Sequence, residues 1–215
     1  MRNFKTEGII IRRRNFNEAD RILTVMTRDY GKLQIKASGV RKITSRRAAH
    51  VELLNHTVLH LYKGKMFALL TEAKMLDDFS EVKTDFDKVG LAYHLCELVD
   101  GLCPENQENS AVYFLLLKTL SILSNHSNKE YLRQRYSAME IEDYMIGTFG
   151  LGADESVQVS LHEKDVLQQF EISLLSVLGY WDSTNSVSRN FDTQIMIEDI
   201  LERKLKSRSI FAKLQ

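Results

Sequence analysis

The chain has 215 residues, room for one large domain or two small ones, and 44% of them are apolar, enough for a sizeable core. Its formal net charge is zero, yet residues 1–80 hold 16 Lys+Arg against 8 Asp+Glu (net +8), and residues 81–215 hold the remaining 13 against 21 (net −8). With only Cys96 and Cys103, a disulfide framework and a four-thiolate zinc site are excluded. The longest apolar run, Ala111–Leu117, is too short for a membrane span, and MRNFKTEGII carries no signal-peptide pattern. A soluble, cytoplasmic protein with reduced, buried thiols is expected.

Residues 6–13 read as a first strand rich in β-branched side chains, and residues 21–28 as a second, joined by the polar link Arg14–Asp20. Asp29-Tyr30-Gly31-Lys32 is a tight-turn signal. Leu33–Ser38 follows as a third strand, with Leu33, Ile35 and Ala37 on one face and Gln34 and Lys36 on the other. A loop then carries Arg41, Lys42, Arg46 and Arg47, and no Asp or Glu occurs between Asp29 and Glu52. Cations clustered without counter-charge repel one another unless an anion lies against them, which points to a nucleic-acid backbone. His50–Leu54 reads as the start of a further pairing, Thr57–Tyr62 as a strand, Lys63-Gly64-Lys65 as a turn, and Met66–Ala73 as the return strand. Five or six short strands in this span predict a small closed or partly closed barrel; a two-sheet sandwich is the alternative.

The period changes near Asp77-Asp78. Phe86, Val89, Tyr93, Cys96 and Val99 recur at helical spacing, and Pro104 ends that helix. Further helices are predicted over Ala111–Leu123, over Tyr131–Phe149 with Gly150 and Gly152 as stop, from Ser160 or Leu161 to Leu178, and over Thr193–Lys206. The predicted architecture is two-domain: an all-β barrel over residues 1–79 and an all-α helical bundle over residues 80–215.

The candidate nucleic-acid-binding cations are Arg12, Arg13 and Arg14 on the first strand, Lys32 and Lys36 on the third, Arg41, Lys42, Arg46 and Arg47 in the loop, and Lys63 and Lys65 at the hairpin turn. Oligonucleotide-binding barrels pair such a groove with aromatic stacking platforms. Tyr30, in an exposed turn, is the first choice; Phe16, Tyr62 and Phe67 are others, with Phe67 read as a core residue. Cations of the tail from Arg203 to Arg208 extend this surface if they face the barrel, or simply complement a helix C-terminus. His50, His56 and His60 have no cluster of carboxylates or thiolates close by, and read as surface or half-buried side chains rather than metal ligands. Asp77-Asp78 and Glu142-Asp143 are adjacent pairs that point apart, as solvated caps do. No nucleophile elbow, phosphate-binding glycine loop or metalloprotease helix occurs, so neither an enzyme nor a cofactor is expected.

Thr6–Arg12, Glu18-Ala19-Asp20-Arg21-Ile22-Leu23-Thr24, Gly31-Lys32-Leu33 and Ala37–Arg41 together resemble the RecO family of bacterial recombination mediators. Leu61-Tyr62-Lys63-Gly64, Leu70–Ala73, Leu178-Gly179-Tyr180 and Leu205–Arg208 continue the resemblance. It implies an oligonucleotide-binding (OB-fold) barrel followed by a helical domain. It also implies binding to single- and double-stranded DNA, strand annealing, and assistance to RecA loading on strands coated by single-strand-binding protein. The implied partners are RecR and the acidic tail of single-strand-binding protein, and the implied location is cytoplasmic, at the nucleoid. Many relatives carry a four-cysteine zinc element after the position of Tyr180; Trp181–Phe191 holds no cysteine, so that element is absent here or replaced by a metal-free loop. An RNA-associated barrel protein and a non-enzymatic interaction scaffold remain the alternatives.

Overall fold

The computed structural model describes residues 2–124, 163–181 and 192–207. The predicted helix over Tyr131–Phe149, the Glu142-Asp143 pair, most of Trp181–Phe191 and the tail beyond Ser207 lie outside them. The strands are β1 (Asn3–Phe16), β2 (Asp20–Thr27), β3 (Gly31–Ala37), β4 (His56–Lys63) and β5 (Ala68–Asp77). They close into a barrel in the order β1-β2-β3-β5-β4, with β1 returning to pair with β4. Every pairing is antiparallel except β3 with β5.

Strand β1 is longer than its predicted span because it serves two neighbours, β4 with its first half and β2 with its second. A register shift between Ile10 and Arg12 turns Ile11 and Arg12 to the same side. Ile10 fills the barrel with Leu23, Val25, Leu33, Ile35, Ala37, Leu59 and Leu61. Ile9, Ile11 and Met26 point outward and are covered by helices. Both faces of β1 and β2 are therefore apolar here, and one core runs from the barrel wall into the helical region.

The predicted pairing at His50–Leu54 is instead one 3-10 turn, Ala49–Val51. Val51, buried with Val40, fills the end of the barrel, and Leu54 takes a left-handed backbone (φ 69°) that a strand does not tolerate. The return strand begins at Ala68 rather than Met66, which stands exposed in the turn.

The described helices are α1 (Ser80–Thr84), α2 (Phe86–Leu102), α3 (Ser110–Leu123), α4 (Glu163–Val177) and α5 (Thr193–Leu201). The Asp85 carboxylate caps α2 by accepting the N–H groups of Asp87 and Lys88. The predicted stripe of α2 is only partly its buried face: Cys96 and Val99 are buried, but Phe86 is 68% and Tyr93 41% exposed. Leu91, Leu95, Leu98 and Leu102 are buried together with Cys96 and Val99, because α2 lies between the barrel and the other helices and has two faces to fill. Helix α5 stops at Leu201, short of Lys206, where Glu202 turns left-handed (φ 51°). Burial pushes the Cys96 thiol up to about 12 and the Cys103 thiol to about 11, which keeps both unreactive.

His56 is fully buried, not half-buried as its strand position suggested. Its Nε2 lies 2.8 Å from the Tyr113 hydroxyl of α3, a polar tie between barrel and helices. A second tie is the loop after α2: the Asn106 N–H donates to the Lys32 carbonyl at 2.9 Å, and Glu105 bridges alongside Lys32. Gly31 makes that approach possible. Its φ is +65°, and a Cβ there would overlap the Gln107 carbonyl. Gly31→Ala is expected to cost about 3 kcal/mol, combining left-handed strain with a backbone clash. Chemical denaturation should show a lower midpoint, and a midpoint equal to wild type would mean the loop does not sit against Gly31.

Candidate nucleic-acid interface

Cross-strand partners on a sheet share a face, so the outward residues of the barrel can be read rung by rung. One rung runs Arg12–Thr24–Gln34 and the next Arg14–Ile22–Lys36–Leu69–Tyr62. The helical region lies against the first. Arg12 pairs with Asp100 at 3.1 Å, and the Gln34 amide donates to the Glu105 carboxylate. One step further, Lys32 is only 6% exposed, its ammonium bonded to the Asp100 carbonyl and 3.6 Å from that carboxylate. The second rung is open except at Ile22, which is buried; Arg14 and Leu69 are exposed and Lys36 and Tyr62 half-buried.

Around the open rung, Phe16 and Phe67 meet edge to face at 6.5 Å, and the Lys36 ammonium lies 5.4 Å from the Phe16 ring centre. Phe67 is half-buried at the surface, not in the core. The Phe16–Lys36–Phe67 group joins the end of β1, the middle of the outward face and the β4–β5 turn, which carries Lys63 and Lys65. Tyr62, on the same rung, accepts from Arg2.

The basic loop abuts the β1–β2 turn. The Gly39 N–H donates to the Asp20 carboxylate at 2.7 Å, the Arg41 N–H to the Ala19 carbonyl at 2.9 Å, and the Arg41 guanidinium to the Asn17 carbonyl at 3.2 Å. Arg47 ties the loop down from the other side by donating to the carbonyls of Ser38, Leu70 and Thr71. Between loop and turn opens a cleft of about 650 Å³ lined by Asp20, Ser38, Gly39, Lys42, Thr44, Ser45, Arg46 and Arg47 among others. Hydroxyls and cations around one hollow suit an anionic oxygen. Asp20 is the acid at its rim. The Gly39 N–H, and then Lys36 at 3.2 Å, hold its carboxyl below the ordinary range, so it stays charged and keeps loop and strand in register.

The predicted cations thus divide. Arg13 bonds Glu52, as does Arg21, which was not among them; Arg12 and Lys32 are held by Asp100; Lys36 is shared between Asp20 and the Phe16 ring. Arg14, Arg41, Lys42, Arg46, Arg47, Lys63 and Lys65 have no carboxylate in ion-pair reach among the described residues. These seven surround the open rung, whereas Lys32 is removed from the surface. Tyr30 is displaced too: it sits at the other end of β3 from the loop, about 20 Å away at 3.3 Å per residue, packed edge to face on Phe4 at 4.8 Å. In the tail, Arg203 bonds Glu97 on α2. Asp20 and Glu52, which organise the loop and neutralise two arginines, escaped the sequence reading because their partners are 19 and 31 residues away.

One set of side chains has the composition of a hydrolytic relay: the Ser207 hydroxyl lies 2.6 Å from His94 Nδ1, and His94 Nε2 lies 3.1 Å from Glu171. All three are buried, and the Ser207 hydroxyl also donates to Glu97 at 2.7 Å, so the group joins helices rather than facing a substrate. Among the described residues no three His, Cys, Asp or Glu side chains gather as a metal site. Nor is any described helix long and apolar enough to cross a membrane.

Comparison with known proteins agrees with the two-part architecture. Residues 1–79 match the family model "Recombination protein O N terminal", and residues 83–177 match "Recombination protein O C terminal". The DNA repair protein RecO of Roseiflexus sp. is 42% identical over 123 residues, covering 57% of this chain and 43% of the relative. That of Symbiobacterium thermophilum is 36% identical over 119 residues (55% and 47%), and one from Dehalococcoides mccartyi 38% over 128 residues (60% and 51%). The matched stretch spans about half the length of these relatives.

Proposed function

The chain belongs to the RecO family, and from that premise we propose that its barrel is an OB-fold that holds a DNA strand across the Arg14–Ile22–Lys36–Leu69–Tyr62 rung in the service of recombinational repair. The observation that carries this reading is the concentration around that rung of cations with no carboxylate partner among the described residues, with the Phe16–Phe67 pair beside it. OB-folds bind oligonucleotides on this face, between the β1–β2 and β4–β5 turns. Loop and hairpin cations would contact phosphates, and the rings would stack bases without reading them. Such a surface supports pairing of complementary strands because it leaves base edges free. Annealing, help in RecA loading on coated strands, and association with RecR and the acidic tail of single-strand-binding protein belong to the same proposal, as non-catalytic work at the nucleoid.

Filter binding to single-stranded DNA, duplex DNA and RNA at two ionic strengths tests it. With about five phosphate contacts, single-strand affinity should fall about 100-fold between about 50 and 200 mM salt. Phe16→Ala or Phe67→Ala should cost about 1–3 kcal/mol for each base that loses its stack. Preference for RNA would favour the RNA-associated alternative, and binding of acidic peptides without DNA affinity would favour the scaffold.

A further inference from the structure

A single exposed apolar side chain is ordinary on a protein surface. Ile43 is set apart by three features. Its side chain is fully exposed, at the crest of the basic loop. Its neighbours Arg41, Lys42 and Arg46 are exposed and have no carboxylate in ion-pair reach among the described residues. And the crest is braced: the Lys42 N–H donates to the Gly39 carbonyl at 3.2 Å and the Ser45 N–H to the Lys42 carbonyl at 2.9 Å, two successive turns of which the second encloses Ile43. Below them Val40 is buried in the barrel end and Arg47 is bonded to three carbonyls. A β-branched side chain has few rotamers. On a braced loop it is therefore a stiff apolar point held in water within a ring of positive charge.

We propose that Ile43 is a wedge that inserts between adjacent bases of bound DNA, while Arg41, Lys42 and Arg46 hold the flanking phosphates. The inference rests on the DNA-binding reading above and deepens it. Apolar wedges flanked by cations open base steps, since the flat faces of two bases can accept a branched aliphatic group and phosphates on either side supply the counter-charge. The position fits: the loop borders the cation-lined cleft, and Asp20 at the rim of the cleft pairs with Lys36 of the open rung and lies opposite Phe16. A base step opened there leaves its edges ready for a complementary strand. An anionic lipid surface is the other partner that this chemistry could address; the cleft and the neighbouring ring pair favour nucleic acid.

The test uses the full chain and a duplex carrying 2-aminopurine at a central position, whose emission is quenched while stacked. Saturating wild-type protein should raise the emission about threefold as the step opens. Ile43→Ser should weaken binding by about tenfold or less, because the phosphate contacts remain, and at saturation should leave the emission at its free-duplex level. Ile43→Leu should restore the rise. Wild-type binding with no rise, or a full rise with Ile43→Ser, overturns the wedge while leaving the DNA-binding reading intact. Failure of the wild type to bind any DNA overturns both. Wild-type binding to phosphatidylglycerol vesicles that Ile43→Ser abolishes, with no change of 2-aminopurine emission, transfers the loop to membranes and overturns the wedge.

Discussion

Lys42→Glu combined with Arg46→Glu is expected to lower single-strand DNA affinity about 100-fold or more at moderate salt, and to reduce the slope of log affinity against log salt by about 1.4, or 0.7 for each lost phosphate contact. Both side chains line the cleft beside the β1–β2 turn and have no carboxylate in ion-pair reach among the described residues, so reversal removes two attractions and adds two repulsions. Lys36→Glu with Arg41→Glu should lose less, about tenfold, because Asp20 already draws the Lys36 charge and Arg41 spends a donor on the Asn17 carbonyl. Lys32→Ala provides the contrast. Its ammonium is enclosed against Asp100, so the salt slope should not change while the unfolding midpoint falls. Equal salt slopes for all three variants would place the bound strand somewhere other than the loop and open rung.

The second large effect concerns the helical region. Glu171→Ala is expected to destabilise the protein by about 3–5 kcal/mol, seen as a drop of about 10 °C in melting temperature. The Glu171 carboxylate receives the Thr193 hydroxyl of α5 and faces His94 of α2 at 3.1 Å, all within the buried core, so truncation takes away the partner that both groups share. Glu171→Gln keeps a hydrogen-bonding group of the same shape and should cost about 1–2 kcal/mol. Equal losses for the two substitutions would show that packing, not polar satisfaction, dominates at this joint. Next to it, Glu97 anchors the segment after α5. Burial pushes its carboxyl up, but the N–H groups of Lys206 and Ser207, the Ser207 hydroxyl and Arg203 outweigh that and hold it at about 2. A depressed carboxyl stabilises the folded form above its ordinary value of 4.5, and that contribution is lost as the pH falls from 4.5 toward 2. Amide exchange at Lys206 and Ser207, corrected for its intrinsic pH dependence, should lose protection across that window.

The elements most legible in the sequence were those made by near neighbours. Alternation of Leu33, Ile35 and Ala37 identified β3 and its inward face, and the apolar run from Ala111 to Leu123 identified α3. The stripe on α2 was misread because a helix packed on two sides has no single apolar face, and Phe86 and Tyr93 fell at helical spacing by coincidence of pattern. His56 was misread for a similar reason: nothing within ten residues announces that Tyr113 closes over it.

The sequence by itself determined the kind of surface: cations drawn into the front third of the chain, and a loop without acids between Asp29 and Glu52. Only the tertiary structure decided which of those cations remain available. Asp100 and Glu105 arrive from some seventy to ninety residues along the chain to pair with Arg12 and Gln34 and to bury Lys32, while among the described residues no such pair from the helical region forms on the rung from Arg14 to Tyr62. Charge is a property of single residues and is written in the sequence. Neutralisation is a property of pairs in space, and the spacing of these pairs is set by where the helical region docks on the barrel wall.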